Sequence, residues 1–264
     1  MNRIDKKFIE LKKENKKAFI PYIVSGDPSI YTTYELLLEF DKIGVDIVEL
    51  GVPFSDPLAD GPTIQRAYQR SLKKGTNLDS ILKLVKRFRK KSQMPVVLMC
   101  YYNLIFKYGI KKFSKDAYIL GVDGVIIPDL PVEEAKIWKK EANLSNIATI
   151  FLASPTSTSD RLKMIADLSS GFIYYVSLTG VTGERKVINT DIKKSINNIR
   201  NWTDKPIAVG FGVSTPKQAK EMIAFCDGVI VGSAIVRKIE ENIKKQNIVS
   251  NTSKFVQSFV NAIH

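Results

Sequence analysis

The sequence lacks several residues and patterns that common enzyme chemistries require. Its 264 residues include one histidine, the terminal His264, and two cysteines, Cys100 and Cys226, with no CxxC spacing. A Ser-His-Asp triad, a Cys-His pair and a histidine-rich metal centre are therefore not expected, and the cysteines are interpreted as reduced packing residues. We predict no metal site, and carboxylates, tyrosines and backbone groups remain as the groups that can carry the chemistry.

Long apolar runs and linkers are also missing. No stretch of 18 or more apolar residues occurs, and the first ten residues mix both charges. This composition predicts neither a membrane span nor a secretory signal, and we interpret the chain as a soluble, cytoplasmic protein. Because no Gly/Ser-rich or low-complexity tract divides the sequence, we expect one domain over residues 1–264.

Positive charge is in excess, with 40 Lys and Arg against 27 Asp and Glu and a formal net charge of +13. The densest cluster, residues 83–91, is interleaved or flanked by apolar residues at helical spacing, namely Ile81, Leu82, Leu84, Val85 and Phe88. This pattern is typical of a helix with a solvated basic face and one buried stripe. The alternative is a basic nucleic-acid-binding module, which predicts salt-sensitive binding.

Short apolar runs alternate with amphipathic stretches along the chain. Eight runs are predicted as strands: 18–24, 46–50, 95–101, 124–128, 148–153, 172–177, 206–211 and 228–232. Seven stretches are predicted as helices: 31–43, 63–73, 79–91, 132–141, 159–168, 191–201 and 216–224. Asp79, Ser159 and Thr215-Pro216 are the predicted helix starts. Eightfold alternation favours the α/β class and a single (β/α)8 TIM barrel, with an extra N-terminal helix at 1–15 covering the barrel bottom.

Two acids occur near one predicted strand end. Glu49 shares a strand face with Ile47, and Asp60 follows on a proline-rich loop. Glu49 is either a solvated strand-end acid or a buried acid whose raised pKa suits proton transfer. Asp60 fits helix initiation before Pro62 as well as it fits catalysis. No lysine lies in a predicted strand, so a Schiff-base aldolase has no obvious nucleophile.

Three glycine-bearing loops follow the last three predicted strands, at 180–183, 210–214 and 232–233. Together they are typical of the barrel phosphate site, in which backbone N–H groups and a helix N-terminus bind a dianion. Of the adjacent Tyr174 and Tyr175, one is expected to face the barrel interior, with two core aromatics as the alternative. The polar, glycine-hinged loop 177–190 has the character of a lid.

Residues 49–65, with the sequence ELGVPFSDPLADGPTIQ, resemble the signature of the tryptophan synthase α-subunit family. The resemblance extends over nearly the whole chain, through Pro21-Tyr22, Gly26-Asp27-Pro28, Tyr102-Asn103, 128–131, 180–183, 210–213 and 231–234. It implies retro-aldol cleavage of indole-3-glycerol phosphate to indole and glyceraldehyde 3-phosphate, in the last stage of tryptophan biosynthesis. It also implies that this subunit needs no cofactor.

The resemblance implies a role for each matching residue. Glu49 would be the principal acid/base, and Asp60 would interact with the indole N–H and stabilise charge on the ring. The indole pocket would be formed by Tyr22, Ile64, Met99, Ile126, Tyr174, Phe211 and Ile230. The phosphate would be bound by Gly183, Gly212, Gly232 and Ser233.

A partner is implied as well: a β subunit that carries pyridoxal phosphate, in an α2β2 heterotetramer. The residues facing it would be Pro53, Phe54, Asp56, Pro57, Asn103, Asp129 and Pro131. The remaining enzyme alternatives are a stand-alone indole-releasing lyase and another phosphate-handling barrel, such as a sugar-phosphate isomerase. Tyr22 replaces a common Phe, and Leu178-Thr179 replaces a frequent Arg-Ser, so the ring pocket and lid contacts are expected to differ from the family pattern.

Overall fold

Parallel strands form the centre of the protein. The structure, a computed structural model, describes residues 1–176, 185–210 and 212–264, with backbone only for 185–190. Within these ranges it has nine strands: β1 (Ala18–Val24), β2 (Val48–Gly51), β3 (Val96–Met99), β4 (Gly124–Ile126), β5 (Ala148–Ile150), β6 (Leu152–Ala153), β7 (Ile173–Val176), β8 (Ile207–Gly210) and β9 (Gly228–Val231).

The strands are ordered β5-β4-β3-β2-β1-β9-β8-β7-β6, and every pair is parallel. The fifth predicted strand, 148–153, is divided at Phe151, because its first half pairs with β4 and its second half with β7. The amide of Tyr174 donates to the carbonyl of Phe151 at 3.0 Å and so links the two ends of the sheet. The TIM-barrel prediction is confirmed, with nine strands in place of the eight expected.

Helices lie between the strands. Those in the described ranges are α1 (Arg3–Lys13), α2 (Ile30–Lys42), α3 (Pro62–Lys73), α4 (Leu78–Arg89), α5 (Tyr102–Tyr108), α6 (Ile110–Leu120), α7 (Lys136–Leu144), α8 (Ser159–Leu168), α9 (Arg185–Arg200), α10 (Pro216–Met222), α11 (Ser233–Glu240) and α12 (Ile248–Ile263), with a 3₁₀ turn at Val132–Glu134. None of the helices searched is long and apolar enough to cross a membrane.

Several predicted boundaries need correction. The cap of α4 is Asn77, which forms a capping box with Ser80, and Asp79 lies inside the helix. Thr158, one residue before the predicted Ser159, caps α8. The start at Thr215-Pro216 is confirmed. The loop expected through residue 190 is also shorter than predicted, since 185–190 belong to α9, and 177–184 lie outside the described residues.

Alternation along each strand separates the barrel interior from the layer between strands and helices. Ile47 and Glu49 point inward, whereas Val48 and Leu50 pack against the helices. Tyr174 belongs to the interior cluster and Tyr175 to the outer one. The predicted facing of Glu49 with Ile47 and the opposite orientations of the two tyrosines are both confirmed.

Helix α1 packs against the amino-terminal side of the strands. Its apolar residues Ile4, Phe8 and Leu11 are buried with the interior residues, and the rings of Phe8 and Phe172 lie 5.9 Å apart. A Cβ at Gly124, the first residue of β4, would press against Ile4, so the bare glycine allows this helix to approach closely. The hydrophobic spacing of α1 therefore determines how it packs on the barrel.

The basic helix α4 has the predicted buried stripe. Its apolar residues are buried, while Lys83, Lys86 and Arg87 are exposed. Arg89 differs from the predicted solvated cations, because it donates to Asp123 at 2.7 Å and to the carbonyl of Gly121 at 2.7 Å. The positive charge of α4 therefore lies largely on its solvated face, and one arginine of the helix, Arg89, joins α4 to the start of β4.

Candidate active site

Glu49 is a buried acid at the carboxyl end of β2. Its side chain lines the cavity inside the barrel, and the residue is only 1% exposed. Among the described residues, neither carboxyl oxygen has a hydrogen-bond partner. Burial, with a smaller contribution from the nearby Asp60, raises the pKa of Glu49 from 4.5 to about 8. The carboxyl is therefore mostly protonated at neutral pH and can act as a proton donor.

Asp60 lies on the loop before α3, in a different environment from Glu49. Gly61 is the cap residue of α3 without a side-chain bond, and Pro62 opens the helix, so the Asp60 side chain does not cap it. Instead, Asp60 Oδ2 accepts a hydrogen bond from the Tyr101 hydroxyl at 2.6 Å. Burial raises the pKa of Asp60, and this hydrogen bond opposes the rise. The hydrogen bond stabilises the ionised form of Asp60.

Tyr101 holds Asp60 in place through contacts on two sides. Its hydroxyl accepts from the amide of Ala59 at 3.1 Å while it donates to Asp60. Its ring stacks on Phe54 with centroids 4.8 Å apart. Tyr101, which follows β3, thus contacts the loop at Phe54 near its start and at Ala59 and Asp60 near its end.

A cavity of about 250 Å³ opens in front of the two acids. Its apolar walls include five predicted pocket residues, Tyr22, Ile64, Met99, Tyr174 and Ile230. Ile126 is buried in the barrel interior beside Met99 and is not among the lining residues that the structure describes. Phe211 lies outside the described residues. A flat aromatic group would therefore meet apolar walls and two carboxyl groups in the same cavity.

The two inward-facing tyrosines of the cavity each lie over a glycine of the neighbouring strand. A Cβ at Gly51 would overlap the hydroxyl of Tyr22, and a Cβ at Gly210 would overlap that of Tyr174. Both glycines therefore provide space for a ring, a role that only a residue without a side chain can fill. The Tyr22 hydroxyl is 3.0 Å from that of Tyr68, which fixes its position.

Another part of the cavity lining comes from the loops after β8 and β9. Gly212, Gly232 and Ser233, three of the predicted phosphate ligands, lie there together with Val213, Ser214, Ala234 and Arg237. Gly212 has a φ of +77°, which favours glycine, and Ser233 begins α11. The first amide groups of a helix have no intrahelical acceptor and attract anions. The fourth predicted ligand, Gly183, lies outside the described residues.

The residues predicted to face a partner surround the Asp60 loop. Asp56, Asn103, Asp129 and Pro131 are exposed, Phe54 and Pro57 are half-buried, and Pro53 is buried. Asp129 accepts from the amide of Tyr102 at 2.8 Å, so the loops after β3 and β4 adjoin. With the Phe54–Tyr101 stacking, these contacts make one continuous surface beside the cavity.

Comparisons with known proteins agree with this geometry. A sequence model of the family described as "Tryptophan synthase alpha chain" matches residues 8–264. The chain belongs to the tryptophan synthase alpha chain family.

Its relatives include the tryptophan synthase alpha chain of Thermoanaerobacter sp. (strain X514), with 50% identity over 98% of both chains. A crystal structure of tryptophan synthase subunit alpha from Legionella pneumophila str. Paris superposes with a TM-score of 0.93 at 38% identity, covering 100% of this chain and 98% of that one. A Pyrococcus furiosus structure, titled as an a2b2 complex of tryptophan synthase, has a TM-score of 0.85 at 40% identity, covering 93% and 99%. This member of the tryptophan synthase alpha chain family is accordingly a lyase of the alpha reaction.

Sequence reasoning missed some of the site in this tryptophan synthase alpha chain family member. Tyr101 is the last residue of a predicted strand and has no predicted role, and Arg237 is absent from the predicted site. Tyr101 is 41 residues from Asp60 in the chain, so its hydrogen bond depends on the packing of β3 beside β2. The only signal in the sequence was its position at a strand end, where barrel active sites lie.

Proposed function

We propose that this chain cleaves indole-3-glycerol phosphate to indole and glyceraldehyde 3-phosphate, with Glu49 as the acid/base and Asp60 as the electrostatic partner of the indole ring. The observation that carries the proposal is the Glu49 carboxyl, buried at the cavity wall with neither oxygen hydrogen-bonded among the described residues. A buried acid without a partner destabilises the fold, and a carboxyl with a pKa near 8 that lines a cavity is typical of a functional site. The family membership supplies the reaction in which it works.

The proposed reaction leaves the carboxyl in its starting state. Glu49 gives its proton to C3 of the indole ring, which makes the ring cationic and able to accept electrons. The hydroxyl on the adjacent side-chain carbon then loses its proton to the Glu49 carboxylate. The electrons of that O–H bond form the aldehyde C=O, and those of the broken C–C bond return to the ring. One proton leaves and one returns, so this chain needs no cofactor for the reaction.

Asp60 has a different role in this scheme. Its carboxylate would accept the indole N–H and stabilise the positive charge that spreads to the ring nitrogen on protonation. The Tyr101 hydrogen bond at 2.6 Å supports the ionised form that this role requires. The two acids would thus have different roles in different surroundings, Glu49 as the proton donor and Asp60 as the hydrogen-bond acceptor beside the ring. Proton transfer by Glu49 would contribute a factor of about 10² to 10⁴ in rate, and the counter-charge of Asp60 would add to it.

The remaining contacts orient the substrate. The apolar walls would bind the indole ring, and the backbone of Gly212, Gly232 and Ser233 would bind the phosphate, with Phe211 and Gly183 proposed from the family pattern alone. The glycerol chain would lie between these two sets of contacts. Both sets are needed to bring C3 to Glu49.

Product analysis tests the reaction. Wild-type chain incubated with indole-3-glycerol phosphate should release indole and glyceraldehyde 3-phosphate in equal amounts, measured by chromatography with mass detection. An isomerised sugar phosphate with no indole would favour the alternative barrel chemistry and refute the proposal. The exposed Glu134→Gln variant, which is the matched control for Glu49→Gln, should retain full activity.

We further propose a β-subunit partner in an α2β2 heterotetramer, docking on the surface beside the Asp60 loop. A Pyrococcus furiosus relative is described as such a complex. The surface carries two large exposed apolar side chains that the sequence did not single out, Leu58 at 95% and Phe106 at 64% exposure. Exposed apolar groups on a continuous surface support a protein interface.

The partner proposal is tested by stimulation of indole release. A tryptophan synthase β subunit should accelerate the wild-type chain, and Leu58→Ser with Phe106→Ser should weaken that effect about 10-fold or more. Leu144→Ser, at an exposed apolar residue at the far end of α7, is the matched control and should respond as wild type. If the rate of indole release by the wild-type chain were the same with and without the β subunit, the result would favour a stand-alone lyase.

A further inference from the structure

Helix α11 carries a cation on the same face as its first residue. Arg237 lines the cavity with Ser233, which lies four residues earlier and therefore one turn away. Side chains of a helix lean toward its N-terminus, so Arg237 leans toward the amide groups of Ser233 and Ala234. The guanidinium and the start of the helix thus face the same space.

The acids next to Arg237 on its own helix are already engaged. Glu240 accepts two hydrogen bonds from Arg66, both at 2.9 Å, and one from Arg70 at 2.7 Å. Glu241 is within 4.0 Å of Lys238. In the part of the chain that the structure describes, Arg237 itself forms no hydrogen bond or ion pair. The helix therefore carries a cation that is exposed at the cavity and is paired with no carboxylate among the described side chains.

The Arg66–Glu240–Arg70 cluster also holds α11 in place. Arg70 donates to both oxygens of the buried Asp27, at 2.8 and 2.7 Å, and so fixes α3 and α11 to the loop after β1. Because Glu240 accepts hydrogen bonds from two other arginines, its carboxylate is not available to pair with Arg237. A helix held by these ion pairs, whose arginine has no partner in the described part of the chain, is preorganised for an anion.

From this arrangement we infer that Arg237 binds the phosphate of the substrate and makes the site selective for phosphorylated over unphosphorylated ligands. The inference rests on the proposed function, which supplies the phosphate. Backbone amide groups alone offer partial charges, whereas a guanidinium adds a full charge and a planar pair of donors matched to phosphate oxygens. Arg237 would therefore set the affinity for the phosphate, while Glu49 performs the chemistry at the indole ring.

The test compares Arg237→Gln with Lys238→Gln, a neighbouring variant with the same change in charge at a residue that does not line the cavity. Calorimetric titration with glyceraldehyde 3-phosphate should give a Kd about 10-fold higher for Arg237→Gln and within about 2-fold of wild type for Lys238→Gln. Arg237→Lys should fall between, because it keeps the charge but loses the planar pair. In indole release, Arg237→Gln should raise KM by more than it lowers kcat.

Equal effects of the Arg237 and Lys238 variants on Kd would overturn the inference, because net charge alone would then explain them. So would an Arg237→Gln variant that binds glyceraldehyde 3-phosphate as wild type does. The titration needs no turnover and therefore tests Arg237 even if the chain releases no indole. That failure would count against the proposed function alone.

Discussion

Replacing Glu49 with glutamine is expected to stabilise the fold while it removes catalysis. The substitution keeps the shape of the side chain and replaces a group that can ionise with one that cannot. In the folded chain the carboxyl is buried and holds its proton, whereas in the unfolded chain water solvates the carboxylate. The two states therefore bind different numbers of protons across a wide pH range.

The magnitude follows from the two pKa values, 4.5 for the ordinary group and about 8 for the folded one. Below pH 4.5 both states are protonated and the wild type carries no penalty. Between pH 4.5 and 8 the unfolded chain has lost the proton that the folded chain keeps, so wild-type stability falls by about 1.4 kcal/mol per pH unit. At pH 7 the loss is about 3 kcal/mol, and glutamine does not incur it.

Urea unfolding at pH 5 and pH 7.5 measures the effect. The stability difference between Glu49→Gln and wild type should increase by about 3 kcal/mol between these two values. Glu134→Gln should give the same difference from wild type at both, because water solvates an exposed carboxylate in either state. If the Glu49→Gln advantage were equal at pH 5 and 7.5, Glu49 would not be held protonated by the fold, and the reasoning would fail.

Three further predictions concern activity. Tyr101→Phe removes the donor to Asp60 and should lower kcat by about 10-fold with the fold intact by circular dichroism; unchanged kcat would show that this hydrogen bond does not serve catalysis. Gly210→Ala should displace the ring of Tyr174, raise KM and cost about 1–3 kcal/mol in urea unfolding, and a variant as stable as wild type would contradict the close approach. The rate of indole release should fall as pH rises through about 8, because Glu49 then loses the proton it donates; a rate that stays level from pH 7 to 9 would exclude it as the acid.

Much of the fold followed from local patterns. Period-two alternation placed Ile47 and Glu49 on one face of β2, because a strand with one face toward the barrel interior allows no other register. The same reasoning separated Tyr174 from Tyr175. Local periodicity is sufficient here because each strand is short and buried on both faces, so side-chain direction depends only on position along the strand.

Other features depend on contacts that a local pattern does not contain. The break at Phe151 reflects a change of pairing partner, which no residue type marks. The role inferred for Arg237 depends on the hydrogen bonds that Arg66 and Arg70 donate to Glu240, and these arginines are distant in sequence. Such arrangements are set by tertiary packing.

The central claim is that Glu49 is the proton donor in cleavage of indole-3-glycerol phosphate. Single-turnover indole release at pH 7, with enzyme in excess over substrate, compares wild type with Glu49→Gln after urea unfolding has shown the variant folded. We predict release from wild type and a rate at least about 10²-fold lower in the variant. Equal rates in the two proteins would contradict the account.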